Sequence, residues 1–114
     1  AGYRGEPLLP HGSAYRVAVF GDSFIDAFYT PLEQSFCERL EDEIAERIGR
    51  ACEVVNCGVA GYGPDQSLLR MRRELGALRP GLVVFAIFTG NDFGDLERNK
   101  IFQVDPEGRL VRRY

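Results

Sequence analysis

Three short polar segments hold the residues whose chemistry stands out in this sequence: Gly21-Asp22-Ser23-Phe24, Gly58-Val59-Ala60-Gly61 and Gly90-Asn91-Asp92. A serine hydroxyl becomes a nucleophile at neutral pH when a base takes its proton. A glycine N–H and a carboxamide N–H can each donate to an oxygen on which negative charge develops, as in the transition state of acyl transfer. Ser23, Gly61 and Asn91 would thus supply a nucleophile and two oxyanion donors, provided that they meet. Each residue taken alone has a plainer reading. Ser23 suits a helix cap or turn, Gly61 a glycine-rich turn, and Asn91 an Asn-Asp turn. The only histidine, His11, stands between Pro10 and Gly12, ahead of all three segments.

The elements that would carry these segments follow from periodicity. Tyr15 to Phe20 is a β-branched, apolar run and predicts a buried strand that ends at Gly21. Glu33 to Ile48 predicts a helix, with Phe36, Leu40, Ile44 and Ile48 recurring every fourth residue, Cys37 and Ala45 beside them, and charges on the other faces. Glu53 to Cys57 predicts a second strand, followed by a glycine-rich turn. Pro64 opens a second helix to about Leu78, with Leu68, Met71, Leu75 and Leu78 on one stripe and Asp65 in the first turn. Leu82 to Phe88 is apolar throughout and predicts a third strand covered on both faces. Residues 100–114 hold two alternating runs around Asp105-Pro106-Glu107-Gly108 and read as a hairpin. Residues 1–14 read as an irregular lead-in. Phe93 and Phe102 are expected to be core aromatics rather than pocket walls.

Strands alternating with helices imply a parallel sheet with crossover connections. Ligands of such sheets sit beyond the carboxyl ends of the strands. The three polar segments fall on those ends, and few other polar residues of interest do.

In this order and context the segments resemble the conserved blocks of the SGNH (GDSL-type) hydrolases. Gly21-Asp22-Ser23-Phe24 resembles block I, Val55-Asn56-Cys57-Gly58-Val59-Ala60-Gly61 block II, and Gly90-Asn91-Asp92 block III, over roughly residues 15–95. The resemblance implies a single α/β domain across 1–114, a flavodoxin-like three-layer α/β/α sandwich, incomplete at its C-terminus and ending in the hairpin. It implies a serine ester hydrolase (an esterase, a lipase-like enzyme or a carbohydrate O-deacetylase) working through an acyl-enzyme. Ser23 would be the nucleophile. Its own N–H, the Gly61 N–H and the Asn91 side chain would form the oxyanion hole. Asp22 and Asp92 would tie the loops by hydrogen bonds, and no cofactor or metal is implied. The family's Asp-x-x-His block has no counterpart here. The expectation is therefore the N-terminal part of a longer enzyme, with little activity of its own; the other reading is a form lacking its base.

Composition narrows the classes. At 114 residues, 45% hydrophobic and 27% charged, with a net charge of -3, the chain reads as one globular domain. No basic stripe with aromatics points to nucleic acid, and Arg109, Arg112 and Arg113 read as a solvated end. No apolar run approaches the roughly 20 residues that cross a bilayer. Cys37, Cys52 and Cys57 are an odd set without metal or redox spacing and are expected to be free thiols. The glycines at 58, 61 and 63 do not make a dinucleotide fingerprint, which leaves a nucleotide-binding half-domain as the weakest reading. A non-catalytic glycan- or acyl-binding module and an O-acyltransferase stand beside the esterase, with a small-molecule or glycan ester as the partner in each. An incomplete sheet also predicts self-association. The chain starts at Ala1 rather than Met, so upstream residues are expected to have been removed, and the sequence does not speak to localisation.

Overall fold

The computed structural model describes residues 3–113. Three strands, Tyr15–Phe20 (β1), Cys52–Asn56 (β2) and Leu82–Phe85 (β3), form a parallel sheet in the order β2-β1-β3. β1 runs in register with β2 from Tyr15 opposite Cys52 to Val19 opposite Asn56, and with β3 from Val17 opposite Leu82 to Phe20 opposite Phe85. The helices are Ser23–Asp26 (α1), Phe36–Ile48 (α2), Pro64–Leu78 (α3) and Asp92–Asn99 (α4), with a 3-10 turn at Leu32–Gln34. Phe102–Val104 (β4) and Leu110–Arg112 (β5) pair antiparallel as the expected hairpin around Asp105 and Gly108.

The side-chain period of two in β1 builds the layers. Val17 and Val19 pack with Cys37, Leu40, Ile44 and Ala45 of α2. Ala18 and Phe20 point the other way, onto Met71, Leu75 and Leu78 of α3. One helix thus covers each face of the sheet, and residues 17–20 have no exposure at all.

Several elements differ from the sequence reading, each for a physical reason. α2 starts at Phe36 rather than Glu33, because the Ser35 hydroxyl accepts from the Glu38 N–H and caps it there. The core face of α2 is Cys37-Leu40-Ile44-Ala45, and Phe36 and Ile48 are exposed. β3 ends at Phe85 and is an edge of the sheet, so Leu82 and Val83 are exposed rather than covered on both sides. α4 is a helix in a segment to which the sequence pattern assigns no element. Phe93 is exposed on it, and Phe102 is half-buried beneath Arg72, neither of them in the core. The three cysteines are free and buried, and burial pushes the Cys37 and Cys57 thiols up to about 12.

The lead-in is irregular but docked. Arg16, buried on β1, pairs with Glu53 at 2.8 Å and donates to the carbonyls of Leu78 and Leu9, while the Leu9 N–H donates to Glu53. One guanidinium therefore joins β1, β2, the end of α3 and the lead-in. Removing one member of a buried pair strands the other charge, a loss on the order of 3–5 kcal/mol. Arg16→Met is expected to lower the unfolding free energy measured in urea by that much, and adding Glu53→Gln to recover part of it; equal unfolding free energies for Arg16→Met and wild type would refute the role.

Candidate functional site

The three polar segments leave the carboxyl ends of three adjacent parallel strands, so they share one rim of the sheet. Backbone and side-chain bonds knit them. The Val59 N–H donates to the Gly21 carbonyl at 3.1 Å, and the Ser67 hydroxyl of α3 donates to the same oxygen at 3.5 Å. Asn56, at the end of β2, donates from its amide to the Ile25 carbonyl at 2.8 Å and accepts from the Gly58 N–H at 3.0 Å. Gly58 lies so close to α1 that a Cβ there would stand 2.5 Å from the Asp26 nitrogen, so only glycine fits between the first and second loops. The first and third loops meet through Phe24 and Phe88, whose ring centroids are 4.5 Å apart.

Ser23 is the first residue of α1 and is exposed. Its neighbour Asp22 is the cap: one carboxylate oxygen accepts from the Phe24 N–H at 2.9 Å, which leaves the Ser23 hydroxyl out of the capping role. Gly61 is exposed in the turn after β2 at φ +83°, a conformation that glycine adopts without strain, and no atom lies within 4 Å of where a Cβ would be. Asn91 is exposed at the N-cap of α4. Its amide donates to Asp95 at 2.8 Å, one turn along the same helix, which fixes the carboxamide and leaves its second N–H for another acceptor. Asp95, itself buried, is held by Arg98 at 2.7 Å. Sequence reasoning missed Asp95. The signal was the i, i+4 spacing from Asn91, visible only once the segment is known to be helical.

Asp92 ties the third loop by accepting from the Phe88 N–H at 2.7 Å. Asp22, Asp65 and Asp92 each keep one buried carboxylate oxygen without a partner among the described residues. Burial, with the nearby Asp22 and Asp95 carboxylates, holds the Asp92 carboxyl above its usual range against the opposing pull of the Phe88 N–H.

Arg4 is a second residue that sequence reasoning passed over. Its guanidinium donates to the carbonyls of Asp26, Ala27 and Thr30, and its backbone bridges to Asn56. It so clamps the segment that follows Ser23. His11 sits between Leu9, which bonds Arg16 and Glu53 at the start of β1 and β2, and Tyr15, the first residue of β1. A six-residue strand at about 3.3 Å per residue puts roughly 20 Å between that start and Ser23.

No protein-family model and no curated protein matches the chain. Solved structures do. AlinE4, an SGNH-hydrolase family esterase, superposes with a TM-score of 0.59 at 20% identity, over 81% of this chain and 58% of its own. Two mutants of that esterase give TM-scores of 0.59 and 0.58 at 19% and 20% identity, over 80% and 81% of this chain and 57% and 58% of theirs. The chain thus spans well under two thirds of the length of these esterases.

The raised Asp92 carboxyl has a consequence for stability. A carboxyl whose folded-state pKa lies above its unfolded value, near 3.9, favours folding at low pH and loses that advantage as pH rises through the gap. Asp92→Asn keeps an oxygen for the Phe88 N–H and removes the charge. Its stability relative to wild type is expected to climb from pH ~4 upward and then level off, in chemical denaturation across pH 3–8. A difference independent of pH would contradict this account.

The helical layers on both faces of a parallel sheet, the three loops on its carboxyl rim and the likeness to AlinE4 together give the chain an SGNH-hydrolase-like α/β fold.

Proposed function

We propose that the chain carries the nucleophile and oxyanion donors of a serine ester hydrolase. What supports this reading is the placement of Ser23, Gly61 and Asn91 on three neighbouring loops at one rim of a sheet whose fold is that of a solved esterase. In the proposed reaction the Ser23 Oγ attacks the ester carbonyl and its proton passes to a base. The carbonyl oxygen becomes an oxyanion held by the N–H groups of Ser23 and Gly61 and by the Asn91 carboxamide. The bond to the alkoxy oxygen then breaks, and the alcohol leaves with the proton. Water adds to the acyl-enzyme, gives its proton to the same base and releases the acid and the free Ser23 hydroxyl.

The base is an imidazole from outside these 114 residues, paired with an acid, because His11 is at the wrong end of the sheet. An acyltransferase would differ only in the acceptor that meets the acyl-enzyme. In the full-length protein a fluorophosphonate is expected to label Ser23, and Ser23→Ala is expected to abolish labelling and cut hydrolysis of a short acyl ester by about 10⁴-fold or more. A full-length protein that binds esters or acylated glycans but neither reacts with the label nor turns over would support the non-catalytic reading instead.

The free edge of β3 carries the partner side of the proposal. Its unpaired backbone, with exposed Leu82 and Val83, borders an apolar cavity of about 510 Å³ lined by Leu68, Phe85, Leu96, Ile101, Phe102 and Leu110. Such an edge templates strand pairing. We propose that the 114-residue chain by itself self-associates there. Sedimentation of this chain is expected to show concentration-dependent dimers that Val83→Lys weakens; a monomer at all concentrations would refute it.

A further inference from the structure

The segment after Ser23 spends its apolar side chains on solvent. Phe24, Phe28 and Tyr29 are 63%, 73% and 97% exposed, although three large aromatics in a row of six residues would ordinarily seek the core. The segment is not loose. Ala27 adopts a left-handed backbone at φ 50°, unusual for a residue with a Cβ. Its N–H donates to the Ser23 carbonyl, its carbonyl accepts from the Thr30 N–H, and Arg4 clamps the carbonyls of Asp26, Ala27 and Thr30. Five bonds thus hold a tight turn whose effect is to present Phe28 and Tyr29 outward. The two rings meet edge to face, with centroids 5.4 Å apart, and Phe24 is backed by Phe88.

These aromatics, with Ala27 and Thr30, line an open cavity of about 300 Å³ that Ser23 lines as well. Among the described residues no charged side chain is one of its walls. The volume lies at the small end of the range for ligand sites and would take one substituent of a substrate rather than a whole one. We infer that this aromatic shelf is the acyl-binding site of the ester substrate, and that it selects uncharged acyl groups of medium length over acetyl. The inference rests on the proposed role of Ser23. Of the ester's two arms, the acyl arm alone stays bonded to the Ser23 Oγ through both half-reactions. A wall built on the residues next to Ser23 therefore stays in contact with it throughout.

The test uses the full-length protein, 4-nitrophenyl esters from acetate to decanoate, and a matching series of acetates of longer alcohols. Full burial of a methylene corresponds to about a fourfold gain. On an open shelf the octanoate-to-acetate ratio of kcat/KM is expected to be roughly ten- to a hundredfold, and to fall to within about threefold in Phe28→Ser/Tyr29→Ser. Both side chains are exposed, so the double variant keeps its core. Tyr29 is expected to be nitrated in the free protein and protected once Ser23 carries an octylphosphonyl group. A flat acyl series, a length preference that survives the double variant, or one found only in the alcohol series would overturn the shelf. So would a Tyr29 that resists nitration in the free protein, since another segment would then cover it. Failure of a methyl fluorophosphonate to label Ser23 would instead sink the hydrolase reading, and the shelf with it.

Discussion

A central strand buried on both faces is the constraint from which the rest of this molecule follows. Residues 17–20 of β1 have no contact with solvent, so every second side chain must match a helix on one side and the next must match the helix on the other. Parallel neighbours on both edges of β1 require long crossovers, and those crossovers are what put α2 and α3 on opposite faces. Parallel strands also point the same way. All three loops carrying Ser23, Gly61 and Asn91 therefore issue from one rim, while the return connections and the Leu9 end of the lead-in gather at the other. The buried Arg16–Glu53 pair anchors that second end, where the Leu78 and Leu9 carbonyls accept from the same guanidinium. The chain thus separates a rim built for cohesion from a rim free to carry polar chemistry.

The rim that carries Ser23 is polar at a cost. Three carboxylate oxygens, of Asp22, Asp65 and Asp92, are buried there with no donor among the described residues. An unpaired buried acceptor costs on the order of 1–3 kcal/mol, and such groups gather where a fold gives up stability for a particular loop shape. Each of these aspartates uses its other oxygen on a backbone N–H at a loop or helix start: Phe24, Gln66 and Phe88 respectively. The shape of the loops, rather than the comfort of the acids, is what the arrangement preserves. Burial raises the Asp92 carboxyl first, and like charges add to it, which is the expected electrostatic signature of that compromise.

How much of this could be read from residues alone depended on whether the signal was local. β1 and α3 were legible because β-branched alternation and a Pro64-led apolar stripe are dense, regular patterns, and the structure keeps their bounds. The start of α2 was not, since Ser35 competes with Glu33 as a start and only the capping geometry decides. α4 was hidden because Asp92–Asn99 is eight residues long with only Phe93 and Leu96 as large apolar side chains, too few to define a stripe. β3 misled in the opposite direction. Its uninterrupted apolar run matches a strand covered on both faces, yet what lies beside a strand is a property of the sheet rather than of the strand. Among the site residues the motif members were visible, whereas Asp95 and Arg4 act through bonds across one helical turn and across 22 or more residues.

Arg4 shows why such long-range residues matter to chemistry at a rim. A loop that leaves a strand edge has few packing contacts of its own, and its backbone carbonyls face water or nothing. A left-handed residue such as Ala27 would relax to ordinary backbone if only local bonds held it. A guanidinium delivered from the lead-in satisfies three carbonyls together, which converts a flexible connection into a fixed turn without adding a core around it. The same lead-in bridges to Asn56 through its backbone, and Asn56 bonds back to the Ile25 carbonyl and the Gly58 N–H. The clamp therefore acts on two of the three loops at once. The geometry around Ser23 is set by residues that precede the first strand.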